Sequence, residues 1–221
     1  MNNRILVFGS SGHAKSIAVV LELLNYEIVG FIDSFLPKGT KVLNYKTIGN
    51  EAVLSHCMEV YLTNNIVIGV GDIFNRHRIV KKIISINPDV NFPVITSPKS
   101  HVAEYTSIGQ GTVVLSNALI NVESRIGEFC IINSSCIIEH NTVIGNYCNV
   151  SSGANIGGNV TIKNNAFIGS SVTIIQKRTI GSDSVIGAGA VVTKNIPKNV
   201  LAVGVPAVVK KNNYINNSIF R

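Results

Sequence analysis

From Val102 to Val192 every sixth residue is Ile or Val, through Ile108, Val114, Ile120 and onward, with no position skipped. An α-helix repeats its buried face every 3.6 residues and a strand every 2, so neither alone gives a strict period of six. A chain that turns a corner after each six-residue step, and closes a triangle after three, does. Each coil of such a parallel β-helix buries its aliphatic wedge on the next. Four residues after each aliphatic position stands something small, such as Thr112, Ala118, Ser124, Cys130, Cys136, Thr142, Cys148 and Ala154. Arg178 breaks this column, which predicts a local bulge or a solvent-facing corner there. Gly follows the aliphatic residue at 109, 127, 145, 157, 169, 181 and 187, where a tight corner would want a permissive backbone.

The small-residue column accounts for Cys130, Cys136 and Cys148 as buried structural thiols. Cys57 lies outside the repeat. No pair of cysteines has zinc-ligand spacing and no disulfide framework is indicated. No metal site is expected. The formal charge of +7 raises the question of nucleic acid, but the Lys and Arg residues are scattered and no aromatic platform or recognition helix accompanies them. Nucleic acid is therefore not expected as a partner. No stretch approaches the ~20 apolar residues of a membrane span and no secretory leader is visible, so a soluble cytoplasmic protein is expected.

The first hundred residues alternate differently. Ile5 to Phe8 reads as a buried strand, followed by Gly9-Ser10-Ser11-Gly12-His13-Ala14 and a helix from about Lys15 to Leu24. Strands are predicted at Ile28 to Ile32, Ile66 to Val70 and Phe92 to Ile95, with a helix from Gly71-Asp72 to about Ile84. The pattern implies a small Rossmann-like parallel α/β sheet with a ligand crevice at the strand C-terminal ends. The glycines run G-x-x-G rather than G-x-G-x-x-G. Free N–H groups at a helix N-terminus still suit a phosphate, and Asp33 could accept hydrogen bonds from a sugar or base. The same residues also fit a plain strand-to-helix turn with Asp33 as a cap. The expected division is 1–98 for the α/β domain, 99–195 for the β-helix and 196–221 for a C-terminal tail packing on it.

In a coil of about eighteen residues, residue n stacks on residue n+18, about 4.8 Å away. His140, at a corner two residues after Ile138, then lies under Gly158, which has no side chain to block access. A base beside an open backbone N–H suits acyl transfer.

The strings Glu139-His140-Asn141-Thr142-Val143-Ile144-Gly145 and Ser152-Gly153-Ala154-Asn155-Ile156-Gly157-Gly158 resemble the active-site segment of bacterial hexapeptide-repeat sugar acetyltransferases. Phe8-Gly9-Ser10-Ser11-Gly12-His13 and Phe31-Ile32-Asp33 look like the nucleotide-sugar-binding domain of the same subgroup. The tail Val191 to Pro197, with Gly204-Val205-Pro206-Ala207, is similar to that family's ending. The subgroup contains nucleotide-linked amino-sugar N-acetyltransferases and sialic acid O-acetyltransferases. The resemblance implies a left-handed winding, a homotrimer, and acetyl-CoA as co-substrate bound between neighbouring coils. It implies His140 as general base, the Gly158 N–H on the thioester oxygen, and Gly169, Ser170, Gly187 and Ala188 along the pantetheine arm. It places Ser11, Gly12, His13, Asp33 and Ser34 in the nucleotide-sugar pocket, with Gly69 and Gly71 nearby. The activity implied is N-acetylation of a nucleotide-linked amino sugar, such as a 4-amino-4,6-dideoxy sugar, for a surface polysaccharide such as O-antigen, or for a glycan. Sugar O-acetylation and a non-catalytic trimeric binding protein are the alternatives.

Two positions depart from the family pattern. Asn141 stands where an acidic residue often orients the imidazole, and a neutral amide offers no charge to an imidazolium. Asn149 stands where many relatives carry a second His; it could still hydrogen-bond acetyl-CoA.

Overall fold

A computed structural model of the chain describes residues 3–212, so residues 213–221 of the expected tail lie outside the described residues. Two compact units divide between Ser97 and Pro98.

In the first unit, β1 (Arg4–Phe8) lies inside a five-stranded sheet. It pairs in parallel with β2 (Glu27–Ile32) and with the strand Ile66–Ile68. Beyond β2 the sheet continues through two strands that sequence reading missed, Lys41–Val42 (β3) and Tyr45–Gly49 (β4). With Ile66–Ile68 as β5, the order is β3-β4-β2-β1-β5. Only β3 runs antiparallel. The predicted strand at Phe92 to Ile95 is not part of this sheet: strand geometry is confined to Ile95–Thr96, Phe92 is buried, and the chain meets the sheet one residue earlier, at a bridge between Asn91 and Asn65.

Helix α1 spans Gly12–Leu23 and buries Ala14, Ile17, Ala18, Val20 and Leu21. A shorter helix, α2 (Leu54–Val60), follows β4. Helix α3 spans Ile73–Ile86 and is started by Asp72, whose carboxylate accepts from the Asn75 N–H at 2.8 Å. That satisfies one of the donors a helix N-terminus leaves unpaired.

The second unit is a left-handed parallel β-helix of two-residue strands. Three sheets form its walls. One runs from His101–Val102 to Val191–Val192 and another from Ser107–Ile108 to Thr179–Ile180. The third includes Val113–Val114 through Val185–Ile186 and closes on Val200–Val203 and the antiparallel Val208–Asn212. The strict period of six has a direct cause in the core. The inner positions from Ile120 through Val192 are almost entirely solvent-free, and with the small-residue column they form one cluster. Burying one Ile or Val side chain contributes about 1.5–3 kcal/mol, repeated at every step of every coil.

The corners are built differently from the expectation. The left-handed backbone falls three residues after each aliphatic position, at Glu123 (φ 59°), Asn141 (φ 57°), Asn159 (φ 59°) and Lys177 (φ 58°), among others. The glycine that directly follows the aliphatic residue serves close approach instead. A Cβ on Gly157 would lie 2.7 Å from the Gln176 nitrogen, and one on Gly169 would lie 2.6 Å from the Ala188 nitrogen. These glycines let one coil settle on the next.

The register passes through Arg178 without a shift, since Thr161 pairs with Thr179 and Ile162 with Ile180. Of the two outcomes expected there, a bulge or a solvent-facing corner, the bulge is absent, and the Arg178 carbonyl still accepts the Thr161 N–H at 2.9 Å. The three coil cysteines are buried and unpaired with one another, and their thiols donate to carbonyls of the next coil, Cys130 to Gly145 at 3.0 Å and Cys148 to Lys163 at 3.1 Å. Burial pushes the Cys136 thiol up to about 11, so it stays protonated and inert.

Candidate active site

Stacking at the corners is visible in side chains as well as in main chain. The Phe129 and Tyr147 rings lie 5.1 Å apart and nearly parallel, and Asn165 donates to Asp183 at 2.9 Å. Within this lattice Val122, His140, Gly158 and Gln176 form one column, and Glu123, Asn141, Asn159 and Lys177 form its neighbour. Their main chains are joined by hydrogen bonds from Asn141 N–H to Val122 carbonyl, Asn159 N–H to His140 carbonyl and Lys177 N–H to Gly158 carbonyl, each 3.0 Å.

The imidazole of His140 lies against Gly158. A Cβ at that glycine would sit 2.7 Å from His140 Nε2 and 2.8 Å from Cε1, space that only glycine leaves open. The Gly158 N–H has no hydrogen-bond partner among the described residues. A ring nitrogen and an unengaged peptide donor therefore share one corner. His140 is solvent-exposed, and its Nδ1 is 2.9 Å from Asn141 Oδ1. The Asn141 amide in turn donates through Nδ2 to Glu123 Oε2. Glu123 was missed in the sequence, although the signal was there: it precedes Asn141 by one coil. The neutral amide at 141 thus does not leave the site without a negative charge.

A second corner holds Ser170 and Ala188, brought together by the contact of Gly169 with Ala188. The Ser170 and Ala188 N–H groups have no partner among the described residues. At four other corners Asn side-chain oxygens cap the equivalent amides, those of Val122, Glu128, Ser134 and Asn146, at 2.8–3.0 Å. Bare amides along an edge can receive the carbonyls of an extended ligand. Within one chain this edge and the His140 corner are different vertices of the triangle, separated by a sheet wall. Asn149 is on the third wall, between Ile131 and Phe167, and is 6% exposed.

In the α/β unit a cavity of about 340 Å³ is lined by Phe8, Gly9, Asp33, Ser34, Phe35, Glu51, Val70 and one face of α3. Of the residues expected in a sugar-nucleotide pocket, Asp33 and Ser34 line it. Ser11, Gly12, His13, Gly69 and Gly71 do not. Gly69 is pinned between β1 and α1, where a Cβ would meet Ala14 Cβ at 2.5 Å, and the Gly71 carbonyl accepts from Arg76 at 2.9 Å. Ser11 and Gly12 open α1 without a side-chain cap, and nothing lies within 4 Å of a Cβ built on Gly12. The His13 Nε2 is sealed from solvent with no partner among the described residues. Burial, with the Arg76 charge adding to it, holds His13 at about 4, so it is neutral near pH 7.

Asp33 is largely occupied by the protein itself. Its Oδ1 accepts the Phe35 and Leu36 N–H groups at 2.8 and 3.0 Å, and its Oδ2 accepts from the Ser10 hydroxyl. It braces the loop at the cavity mouth, where the Phe35 ring is 90% exposed. Glu51 accepts from Lys82 and from the Ser34 hydroxyl at 2.7 Å each. Those two hydrogen bonds, Lys82 first, bring its carboxyl down to about 2. With Lys82 so engaged, Arg78 is the cavity cation that forms no ion pair among the described residues. Arg78, Lys82, Glu51 and Asn75 come from segments that carry no motif, and sequence reading did not find them.

Residues 4–83 match the family described as the PglD N-terminal domain, and residues 123–158 and 159–194 match the bacterial transferase hexapeptide (six repeats) family. A search of curated proteins finds no significant match. Among solved structures the chain is 26% identical to a single-residue variant of GDP-perosamine N-acetyltransferase from Caulobacter crescentus, in complex with CoA and GDP-perosamine. That alignment covers 94% of this chain and 97% of the other, with a TM-score of 0.88. The acetyltransferase domain of PglB from Neisseria gonorrhoeae, in complex with acetyl coenzyme A, is 26% identical over 95% of this chain and 100% of the other, with a TM-score of 0.86. WeeI from Acinetobacter baumannii is 25% identical over 93% and 99%, with a TM-score of 0.82.

Proposed function

Because the chain belongs to the hexapeptide-repeat sugar acetyltransferases that carry a PglD-type N-terminal domain, we propose that it moves an acetyl group from acetyl-CoA to the amine of a nucleotide-linked amino sugar. The observation that carries the mechanism is the placement of His140 Nε2 against Gly158, beside a peptide N–H with no hydrogen-bond partner among the described residues. His140 removes a proton from the sugar ammonium or from the attacking amine. The nitrogen attacks the thioester carbonyl, and the Gly158 N–H receives the developing oxyanion. Collapse of the tetrahedral adduct expels CoA thiolate, which takes up a proton.

The bare amides of Ser170 and Ala188, beside Gly169 and Gly187, hold the pantetheine arm. As that edge and the His140 corner are different vertices of one triangle, the reading includes a homotrimer. In it, one copy's His140 corner faces a neighbour's pantetheine edge. The exposed Val122, Ile137 and Val143 offer apolar surface for the neighbour to cover, and Asn149 lies near the cofactor on its own wall. The α/β cavity takes the nucleotide. Phe35 stacks on the base, Arg78 meets the diphosphate, and Ser11 and Gly12 offer the α1 N-terminus to a phosphate. Residues 1–98 then select the sugar nucleotide and 99–195 perform the transfer, in the cytoplasm, upstream of surface-glycan assembly.

The test is free-thiol release from acetyl-CoA with a panel of nucleotide-linked amino sugars, alongside hydroxyl-only sugars and free sialic acid. Turnover confined to the amines supports the proposal. Turnover only with hydroxyl acceptors makes the protein an O-acetyltransferase, and binding without turnover makes it a scaffold. Light scattering reads the trimer.

A further inference from the structure

The base proposed above needs its proton on the correct ring nitrogen. Imidazole is useful as a base at Nε2 only if Nδ1 carries the hydrogen. Nε2 is the atom that faces Gly158. Nothing on His140 itself selects that tautomer, and neither does Asn141, because a carboxamide can turn either its oxygen or its NH2 toward the ring.

The selection comes from one coil below. Asn141 Nδ2 donates to Glu123 Oε2, and Asn141 Oδ1 is 2.9 Å from His140 Nδ1. An ionised carboxylate only accepts, so the amide must present its NH2 to Glu123 and its oxygen to the imidazole. A carboxamide oxygen only accepts, so His140 Nδ1 must donate. We propose that Glu123 is a positioning residue that, through Asn141, fixes His140 as the Nδ1–H tautomer and leaves the Nε2 lone pair aimed at the Gly158 corner.

The geometry that makes this possible is the coil itself. Glu123 and Asn141 occupy equivalent left-handed corners, φ 59° and 57°, and the Asn141 N–H is bonded to the Val122 carbonyl at 3.0 Å. The two side chains are therefore stacked neighbours rather than chance contacts across solvent. Removing the Glu123 carboxylate frees the amide to flip. A flipped Asn141 offers N–H to Nδ1, stabilises the Nε2–H tautomer, and disables the base. As His140 takes up the substrate proton, the same carboxylate stabilises the imidazolium through the polarised amide.

The inference rests on His140 being the base, so the decisive reading does not use turnover. Nitrogen-15 NMR of the full-length protein, with labelled histidine and the His140 signal assigned by its loss in His140→Ala, reports the tautomer directly. The wild type is expected to show Nδ1–H, and Glu123→Ala a substantial Nε2–H population. In acetyl transfer, Glu123→Ala should lower kcat roughly tenfold with KM for acetyl-CoA little changed, as for a weakened general base. Glu123→Gln, which can bond in either amide orientation, should fall between it and wild type. Asn141→Asp in the Glu123→Ala background puts a carboxylate directly on Nδ1 and should restore both tautomer and rate. An unchanged tautomer in Glu123→Ala, or a lost rate that Asn141→Asp does not recover in a protein with native circular dichroism, overturns the proposal. A shifted tautomer in a protein that transfers no acetyl group would leave Glu123 as the selector and overturn the functional reading instead.

Discussion

The coil and the α/β unit position their candidate residues by opposite means. In the coil, sequence distance is spatial distance: a residue one coil away in sequence is the neighbour above or below, so His140 and Gly158 meet by arithmetic. In the α/β unit the cavity gathers Phe8 at the end of β1 and Gly9 after it, Asp33 to Phe35 after β2, Glu51 after β4 and one face of α3. Nothing in their spacing announces the meeting. A one-dimensional repeat has each unit touching only its neighbours, whereas a parallel sheet with crossovers assembles loops from distant segments. Point changes in the coil should therefore act on a predictable partner, and changes in the α/β unit should spread through a loop network.

The sharpest way to break that contrast is His140→Ala, expected to reduce acetyl transfer by a factor on the order of 100 or more while leaving nucleotide binding intact. A wild-type rate by thiol release would remove His140 from the chemistry. Gly158→Ala should come next. Its Cβ would stand 2.7 Å from Nε2, and displacing a base by a fraction of an ångström costs on the order of tenfold or more in kcat. An unaltered kcat would mean that the imidazole works from another position.

Asp33→Ala tests the other region. Loss of the carboxylate releases the Phe35 and Leu36 N–H groups and the Ser10 hydroxyl. By calorimetry it should weaken sugar-nucleotide binding on the order of tenfold, as expected for a lost charged hydrogen-bond hub, with acetyl-CoA binding unchanged. Equal loss of both ligands would show that the two regions are not separable.

The smallest effect concerns His13. Its folded value is depressed from 6.5 to about 4, by burial first and by Arg76 second. The neutral ring therefore contributes stability that is complete above pH 6.5 and is lost as pH falls toward 4. Each 1 kcal/mol lost should lower Tm by roughly 2–4 °C in a chain of this size. His13→Asn should flatten that slope of Tm against pH between 7 and 4, and an undiminished slope would assign the acid sensitivity elsewhere.

Legibility followed the same division. The period of six was readable through every coil because each step buries one aliphatic side chain against a solvent-free column. The corner glycines were found but given the wrong reason. They relieve contact with the coil above, as at Gly157 and Gly169, while the left-handed turn falls two residues further on. Arg178 looked like an interruption because a repeat is read from side chains, yet its ladder bonds are main-chain and indifferent to side-chain size. In the α/β unit, β1, β2 and both long helices were visible as apolar runs. The edge strand β3 and its neighbour β4 were not, because β3 has two residues and β4 buries only Thr47 fully, so neither carries an apolar run. Asp33 was singled out as a ligand contact, and in the structure its carboxylate is engaged by the loop it braces.

The sequence alone determined the coil, its period and the pairing of His140 with Gly158, because a repeat turns residue number into height along the axis. Only the tertiary structure decided which way the Asn141 amide faces, and that Glu123 enforces it. It also decided that Arg78 has no ion-pair partner among the described residues while Lys82 is bound to Glu51. Hydrogen-bond direction and charge pairing depend on where side-chain atoms end, and no spacing rule along the chain specifies that.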